Sequence, residues 1–186
     1  MNIDYKSIVN LSNLLTIIRL LLVIPLYVLF QSWGQSFVRE SILILLIIAA
    51  VTDILDGYLA RKFGHITEFG KILDPISDKI LIAFLLFEVI RLNLLPYNYL
   101  IIVILRDILI LIGGIYCSKK TGIILQSNFL GKITALVIGI VIFLRIFGFS
   151  FGFIAFDVIF YLSIFLIIVS FIVYLYRLIK VLRDKI

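Results

Sequence analysis

The chain has 186 residues, of which 63% are hydrophobic and 15% are charged, and its formal net charge at pH 7 is +6. Its mean hydropathy of +1.25 reflects more apolar surface than a domain of this length can bury, which excludes a water-soluble globular protein. The positive charge does not indicate nucleic-acid binding, because no basic face alternates with aromatic residues. Basic residues at a cytoplasmic membrane rim explain it.

Apolar runs long enough to cross a bilayer recur along the chain and predict an all-α integral membrane protein. The amphipathic residues 2–11 are expected to form an interfacial helix ahead of the first span. Without a linker or a low-complexity segment, residues 1–186 are expected to form a single membrane domain, and no internal repeat favours a transporter built from two halves. Six transmembrane helices are predicted over 14–31, 41–60, 74–95, 98–117, 128–147 and 153–176.

The distribution of basic residues predicts the orientation of these helices. If the N-terminus, the 61–73 and 118–132 loops and the C-terminal tail share one side, that side holds eleven Lys and Arg residues, whereas the opposite loops hold three. The positive-inside rule then places both termini in the cytoplasm.

The second predicted span carries two aspartates in an unusual setting. A carboxylate at mid-bilayer costs roughly 2.5–3.5 kcal/mol, so such residues normally mark function. Asp53, Asp56, Gly57 and Ala60 fall at i, i+3, i+4 and i+7 and therefore share one helical stripe. The two small residues remove bulk beside the carboxylates, which would let a ligand or another helix approach the backbone.

The next helix repeats the arrangement, with Gly70, Asp74 and Asp78 at i, i+4 and i+8. Pro75 suits the first turn of that helix. Because the intervening polar segment is short, the two helices are expected to be antiparallel neighbours whose acidic stripes converge.

Four carboxylates in one pocket would repel one another unless they were neutralised. Two divalent cations would balance their charge, and hard oxygen ligands suit Mg²⁺ or Mn²⁺. Such a pair commonly supports displacement at phosphorus, and Arg61 and Lys71 lie where a phosphate could be met. The residues therefore predict phosphoryl chemistry on a lipid.

The pattern Asp-x2-Asp-Gly-x2-Ala-Arg-x8-Gly-x3-Asp-x3-Asp, from Asp53 to Asp78, resembles the complete signature of the CDP-alcohol phosphatidyltransferase family. The resemblance implies a cytoplasmic site that transfers a phosphatidyl group from a CDP-linked donor to an alcohol and releases CMP. It also implies a homodimer in a bacterial inner membrane. Asp53, Asp56, Asp74 and Asp78 would hold two metal ions, and Asp78 would also be the catalytic base.

The resemblance assigns further residues to the donor and the acceptor. The opening "SNLLTIIR" is similar to the N-terminal segment of the family, although Asn13 and Thr16 are explained equally well as a helix cap. Arg19 needs an anionic partner, because it is a lone arginine in an apolar helix. Donor-binding residues would be Thr16, Arg19, Gly57, Ala60, Arg61, Thr67 and Gly70. An acceptor phosphate would be met by Lys71, Arg106 and Lys132.

Two acceptor alcohols remain open. The first span and the motif are most similar to members that use CDP-diacylglycerol and glycerol 3-phosphate to make phosphatidylglycerophosphate. The stretch "LRDILILIGG" and the tail "YLYRLIKVLRDK" resemble instead members that make cardiolipin from phosphatidylglycerol. A cation channel or transporter is the alternative of a different class, but it does not explain the small-residue stripe or Arg61.

Overall fold

A computed structural model describes the backbone of residues 17–63, 68–122 and 129–184. Side chains are described over the same ranges apart from residues 53, 54, 56–63, 68–76 and 184. The predicted interfacial helix over 2–11 therefore lies outside the described residues. The helices, named in chain order, are α1 (Val23–Gln31), α2 (Val38–Phe63), α3 (Glu68–Arg91), α4 (Tyr97–Thr121), α5 (Phe129–Phe147) and α6 (Ile154–Asp184).

Helices account for the regular structure throughout the described ranges, and the predicted all-α class is confirmed there. By length and composition, α4, α5 and most of α6 could each cross a membrane, and a shorter apolar helix covers Ile17–Gln31. These apolar helices agree with a membrane protein, and the number of six spans stays a prediction.

The chain packs as two compact units, Met1–Glu88 and Val89–Ile186. In the first unit, α1 packs against α2 and both bury apolar side chains. Phe30 of α1 is 1% exposed, and its ring stacks on Trp33 with centroids 5.9 Å apart and meets the ring of Phe84 edge-on at 6.2 Å.

In the second unit, α4 and α6 pack in parallel with one constant register. Tyr99, Arg106 and Ile110 of α4 are each hydrogen-bonded to the residue 64 positions later, namely Ser163, Ser170 and Tyr174. Both helices place these contacts seven and then four residues apart, so the contacts lie along one face of each helix. We call this contact, formed by positions 99–113 of α4 and 163–178 of α6, the α4–α6 seam.

Hydrogen bonds stabilise the helix ends and the loops between them in the second unit. Gly122 ends α4 in the left-handed conformation with φ of 70° and donates its N–H to Ser118 O at 3.0 Å. Asp157, in the first turn of α6, accepts the N–H of Gly152 at 3.1 Å. Arg145, near the end of α5, donates to the carbonyl oxygens of Leu94 and Phe149 at 2.5 and 2.6 Å, and so ties two loops together.

Candidate active site

Two helices of the first unit carry the acidic motif. Asp53, Asp56, Gly57 and Ala60 fall within α2, which continues to Phe63. The helical spacing that the sequence predicted for this stripe is therefore present in the backbone. The side chains of these residues, and that of Arg61, lie outside the description.

The second acidic stripe lies on α3, but its place in the helix differs from the prediction. The helix begins at Glu68, so Gly70 and Asp74 fall in its first two turns, and Pro75 is an interior residue rather than a first-turn residue. The prediction was wrong because it located the helix start from the apolar run, whereas residues 68–73, which include a glutamate and a lysine, also adopt helical backbone. The side chains of Gly70, Lys71 and Asp74 are not among those described, and neither Thr16 nor Thr67 lies within the described residues.

Asp78 is the one motif aspartate whose side chain is described. It lies on α3 with 45% of its side chain exposed. Its Oδ1 accepts a hydrogen bond from Nη1 of Arg19 at 2.5 Å. A half-exposed carboxylate is accessible to a substrate while it is held by an opposite charge.

Arg19 comes from the helical residues that precede α1, and it is 2% exposed. Besides Asp78, its Nη1 reaches the Oγ of Ser77 at 3.4 Å, and Ser77 is fully buried. The sequence predicted an anionic partner for this arginine. A carboxylate of the same chain fills that role. Sequence reasoning missed Ser77, since a lone serine beside a motif aspartate carries no spacing signal.

Two residues predicted to meet an acceptor phosphate lie in the second unit. Arg106 donates from Nη1 to Asp107 Oδ1 at 2.6 Å and from Nη2 to Ser170 Oγ at 3.0 Å, and its side chain is 12% exposed. Lys132 lies in the first turn of α5 and is exposed. Arg106 is therefore held in place by neighbours, whereas Lys132 projects from its helix.

The donor chemistry of Asp78 fits a divalent cation, since a carboxylate oxygen is the ligand that Mg²⁺ and Mn²⁺ prefer. No group of three potential ligands occurs among the described side chains, a range that omits Asp53, Asp56 and Asp74. The two-ion site stays a prediction, as do the individual donor and acceptor roles.

The family of the chain is shown by its similarity to known proteins. A profile described as CDP-alcohol phosphatidyltransferase matches residues 9–178. The chain belongs to this family, and the resemblance based on the motif is confirmed. Membership identifies an enzyme and not a cation channel or transporter.

Several relatives are named for one reaction of this family. The chain is 35% identical over 136 residues to CDP-diacylglycerol–glycerol-3-phosphate 3-phosphatidyltransferase of Bacillus subtilis (strain 168), covering 67% of this chain and 69% of that protein. A protein of the same name from Aquifex aeolicus (strain VF5) is 36% identical over 138 residues, covering 70% and 72%. A third, from Rickettsia typhi, is 45% identical over 74 residues, covering 40% and 41%.

Proposed function

We propose that this chain transfers the phosphatidyl group of CDP-diacylglycerol to glycerol 3-phosphate, giving phosphatidylglycerophosphate and CMP. The observation that carries the proposal is the complete acidic motif on α2 and α3 in a chain whose relatives are named for that reaction. The acceptor favoured by the sequence agrees with those names.

In this proposal, the aspartates of the motif bind two Mg²⁺ or Mn²⁺ ions. Asp53, Asp56, Asp74 and Asp78 supply hard oxygen ligands with a combined charge that two divalent ions would balance. When bound, the ions would stabilise negative charge on the diphosphate of the donor and on the departing CMP.

The residues around the motif bind and orient the two substrates. The small side chains of Gly57, Ala60 and Gly70 leave space for the CDP group, and Arg61 offers charge to its phosphates. Thr16 and Thr67 complete the predicted donor contacts, whereas Arg19, which the resemblance also assigns to the donor, lies buried against Asp78. Lys71, Arg106 and Lys132 are the predicted contacts of the acceptor phosphate.

Asp78 acts as the base in the transfer step. It takes the proton of an acceptor hydroxyl as that oxygen attacks the phosphorus that bears diacylglycerol. The new P–O bond forms while the bond to CMP breaks, so CMP leaves with the electron pair. The partial exposure of Asp78 supports this role, because a base must be reachable by the acceptor.

The membrane setting completes the proposal. The apolar helices fit a membrane protein, and the basic residues favour a multi-pass arrangement in a bacterial inner membrane with six spans and cytoplasmic termini. The acyl chains of the donor would lie in the bilayer while the head group reaches the cytoplasmic side. A homodimer is also part of the proposal.

Identification of the lipid product tests the proposed acceptor. Purified protein would receive CDP-diacylglycerol with glycerol 3-phosphate, with phosphatidylglycerol, or with neither. We expect phosphatidylglycerophosphate and CMP in the first case only. Cardiolipin from phosphatidylglycerol, with glycerol 3-phosphate ignored, would assign the chain to the alternative acceptor.

A further inference from the structure

Arg19 and Asp78 form an asymmetric ion pair. The arginine is 2% exposed and the aspartate side chain 45% exposed, and 2.5 Å separates Arg19 Nη1 from Asp78 Oδ1. The cation is therefore fixed inside the protein, whereas the anion is held at an accessible position.

Ser77 strengthens the anchoring of the arginine. Its fully buried Oγ lies 3.4 Å from the same guanidinium nitrogen that contacts Asp78. Two neighbouring residues of α3 thus hold one arginine contributed by the segment before α1.

We propose that Arg19 is a positioning residue that holds the Asp78 carboxylate for turnover, rather than a ligand of the CDP donor. At 2% exposure, its guanidinium offers a donor phosphate almost no surface. Its positive charge also offsets one of the negative charges that the motif gathers, which eases the repulsion expected among those carboxylates. The inference rests on the proposed function, since it requires that Asp78 take part in the transfer.

A double-mutant cycle on turnover separates the two roles of Arg19. The variants are Arg19→Gln, Asp78→Asn and the double variant, assayed for CMP release as donor concentration is varied. If Arg19 acts through Asp78, Arg19→Gln lowers kcat by about 10- to 100-fold, the usual effect of a misplaced reacting group, and changes the KM for CDP-diacylglycerol little. The double variant then resembles Asp78→Asn alone, because the losses are not additive.

Thermal stability in detergent supplies a second readout that does not depend on activity. Asp78→Asn leaves the buried guanidinium of Arg19 without its counter-charge, whereas removing both partners relieves that charge. We expect Asp78→Asn to lower Tm by several degrees and the double variant to recover most of that loss. If Asp78→Asn does not accumulate, the recovery of folded protein in the double variant reports the same coupling.

Two further variants complete the design. Arg19→Lys keeps the charge without the guanidinium and should retain more turnover than Arg19→Gln. Arg39→Gln removes one positive charge from an exposed position beside Trp33 and should match the wild type in kcat and KM.

The outcomes distinguish this inference from the proposed function. Multiplicative losses of turnover, or a tenfold rise in donor KM with kcat preserved in Arg19→Gln, would overturn the positioning role while leaving the enzyme assignment intact. Near-normal turnover in Asp78→Asn would overturn both the positioning role and the assignment of Asp78 as base. A wild-type protein that releases no CMP from CDP-diacylglycerol and glycerol 3-phosphate would overturn the proposed function itself.

Discussion

Asp53 and Asp78 belong to the same motif, but they are expected to contribute differently to the reaction. Asp53 is predicted to be a metal ligand, whereas Asp78 is predicted to accept a proton as well as to support a metal. Their positions on separate helices, α2 and α3, let the two roles be changed one at a time.

Asp78→Asn keeps an oxygen of the same shape but cannot accept the proton. Turnover should fall by a factor on the order of 10²–10⁴, the usual contribution of general acid–base catalysis. Donor affinity should fall far less, since three carboxylates remain. Titration of CDP-diacylglycerol and metal against the purified variant measures both quantities.

Asp53→Asn is the matched comparison, because it removes the charge of a metal ligand. It should lose metal-dependent donor binding together with turnover. If the two variants lose donor affinity equally, the separate role assigned to Asp78 is wrong.

Only part of the environment of Arg19 could be predicted from the sequence. The burial cost of a lone arginine in an apolar helix predicted that Arg19 has an anionic partner, and Asp78 is such a partner among the described side chains. Its identity was not predictable, because the two residues are 59 positions apart and nothing in their local sequence relates them.

At the scale of the helices, the α4–α6 seam combines polar contacts with a close approach. Tyr99 and Ser163 share a hydrogen bond of 2.8 Å, and the Tyr174 hydroxyl donates to Ile110 O at 2.8 Å. Membrane helices gain little from hydrophobic burial against each other, so such contacts and small residues stabilise their pairing. Gly113 provides the small residue here.

Gly113→Leu should destabilise the protein by about 1–3 kcal/mol, the usual cost of overpacking. A Cβ at this position would come within 3.1 Å of Leu178 Cδ2 and 3.3 Å of Tyr174 Cε1. Gly139→Leu on α5 is the control, because a Cβ there meets no atom within 4 Å. Thermal unfolding in detergent measures both, and equal stability of the two variants would contradict the close packing at Gly113.

Hydropathy predicted which segments are helical better than where the helices end. The predicted span 98–117 corresponds to α4 at Tyr97–Thr121, but 74–95 corresponds to α3 at Glu68–Arg91. Apolar runs report the residues suited to a bilayer, whereas a helix also includes flanking polar residues whose backbone hydrogen bonds continue the ladder. The α4–α6 register, by contrast, depends on contacts 64 residues apart and has no local signal.

At the scale of the whole molecule, the orientation in the membrane is a prediction from the basic residues. Since α4 and α6 are parallel, their C-terminal ends should emerge on one side, and that side carries Lys119, Lys120 and Arg183. The loop between α5 and α6, which contains Phe151, should lie on the other side.

Labelling of single cysteines tests this arrangement. In a Cys117→Ala background, Lys120→Cys and Arg183→Cys should react with a membrane-impermeant maleimide from the cytoplasmic face alone, and Phe151→Cys from the opposite face. The three positions are exposed, so access depends on the side of the membrane. Labelling of positions 120 and 183 from opposite faces would contradict the parallel arrangement of α4 and α6 across the bilayer.

In the proposed function, the chain performs phosphatidyl transfer with metal ions bound by the motif aspartates. The most direct measurement follows radiolabelled glycerol 3-phosphate into lipid, together with CMP release from CDP-diacylglycerol, before and after a chelator removes divalent ions. Both signals should disappear with the chelator and return with Mg²⁺ or Mn²⁺. Full turnover in metal-free buffer would contradict the proposed metal dependence.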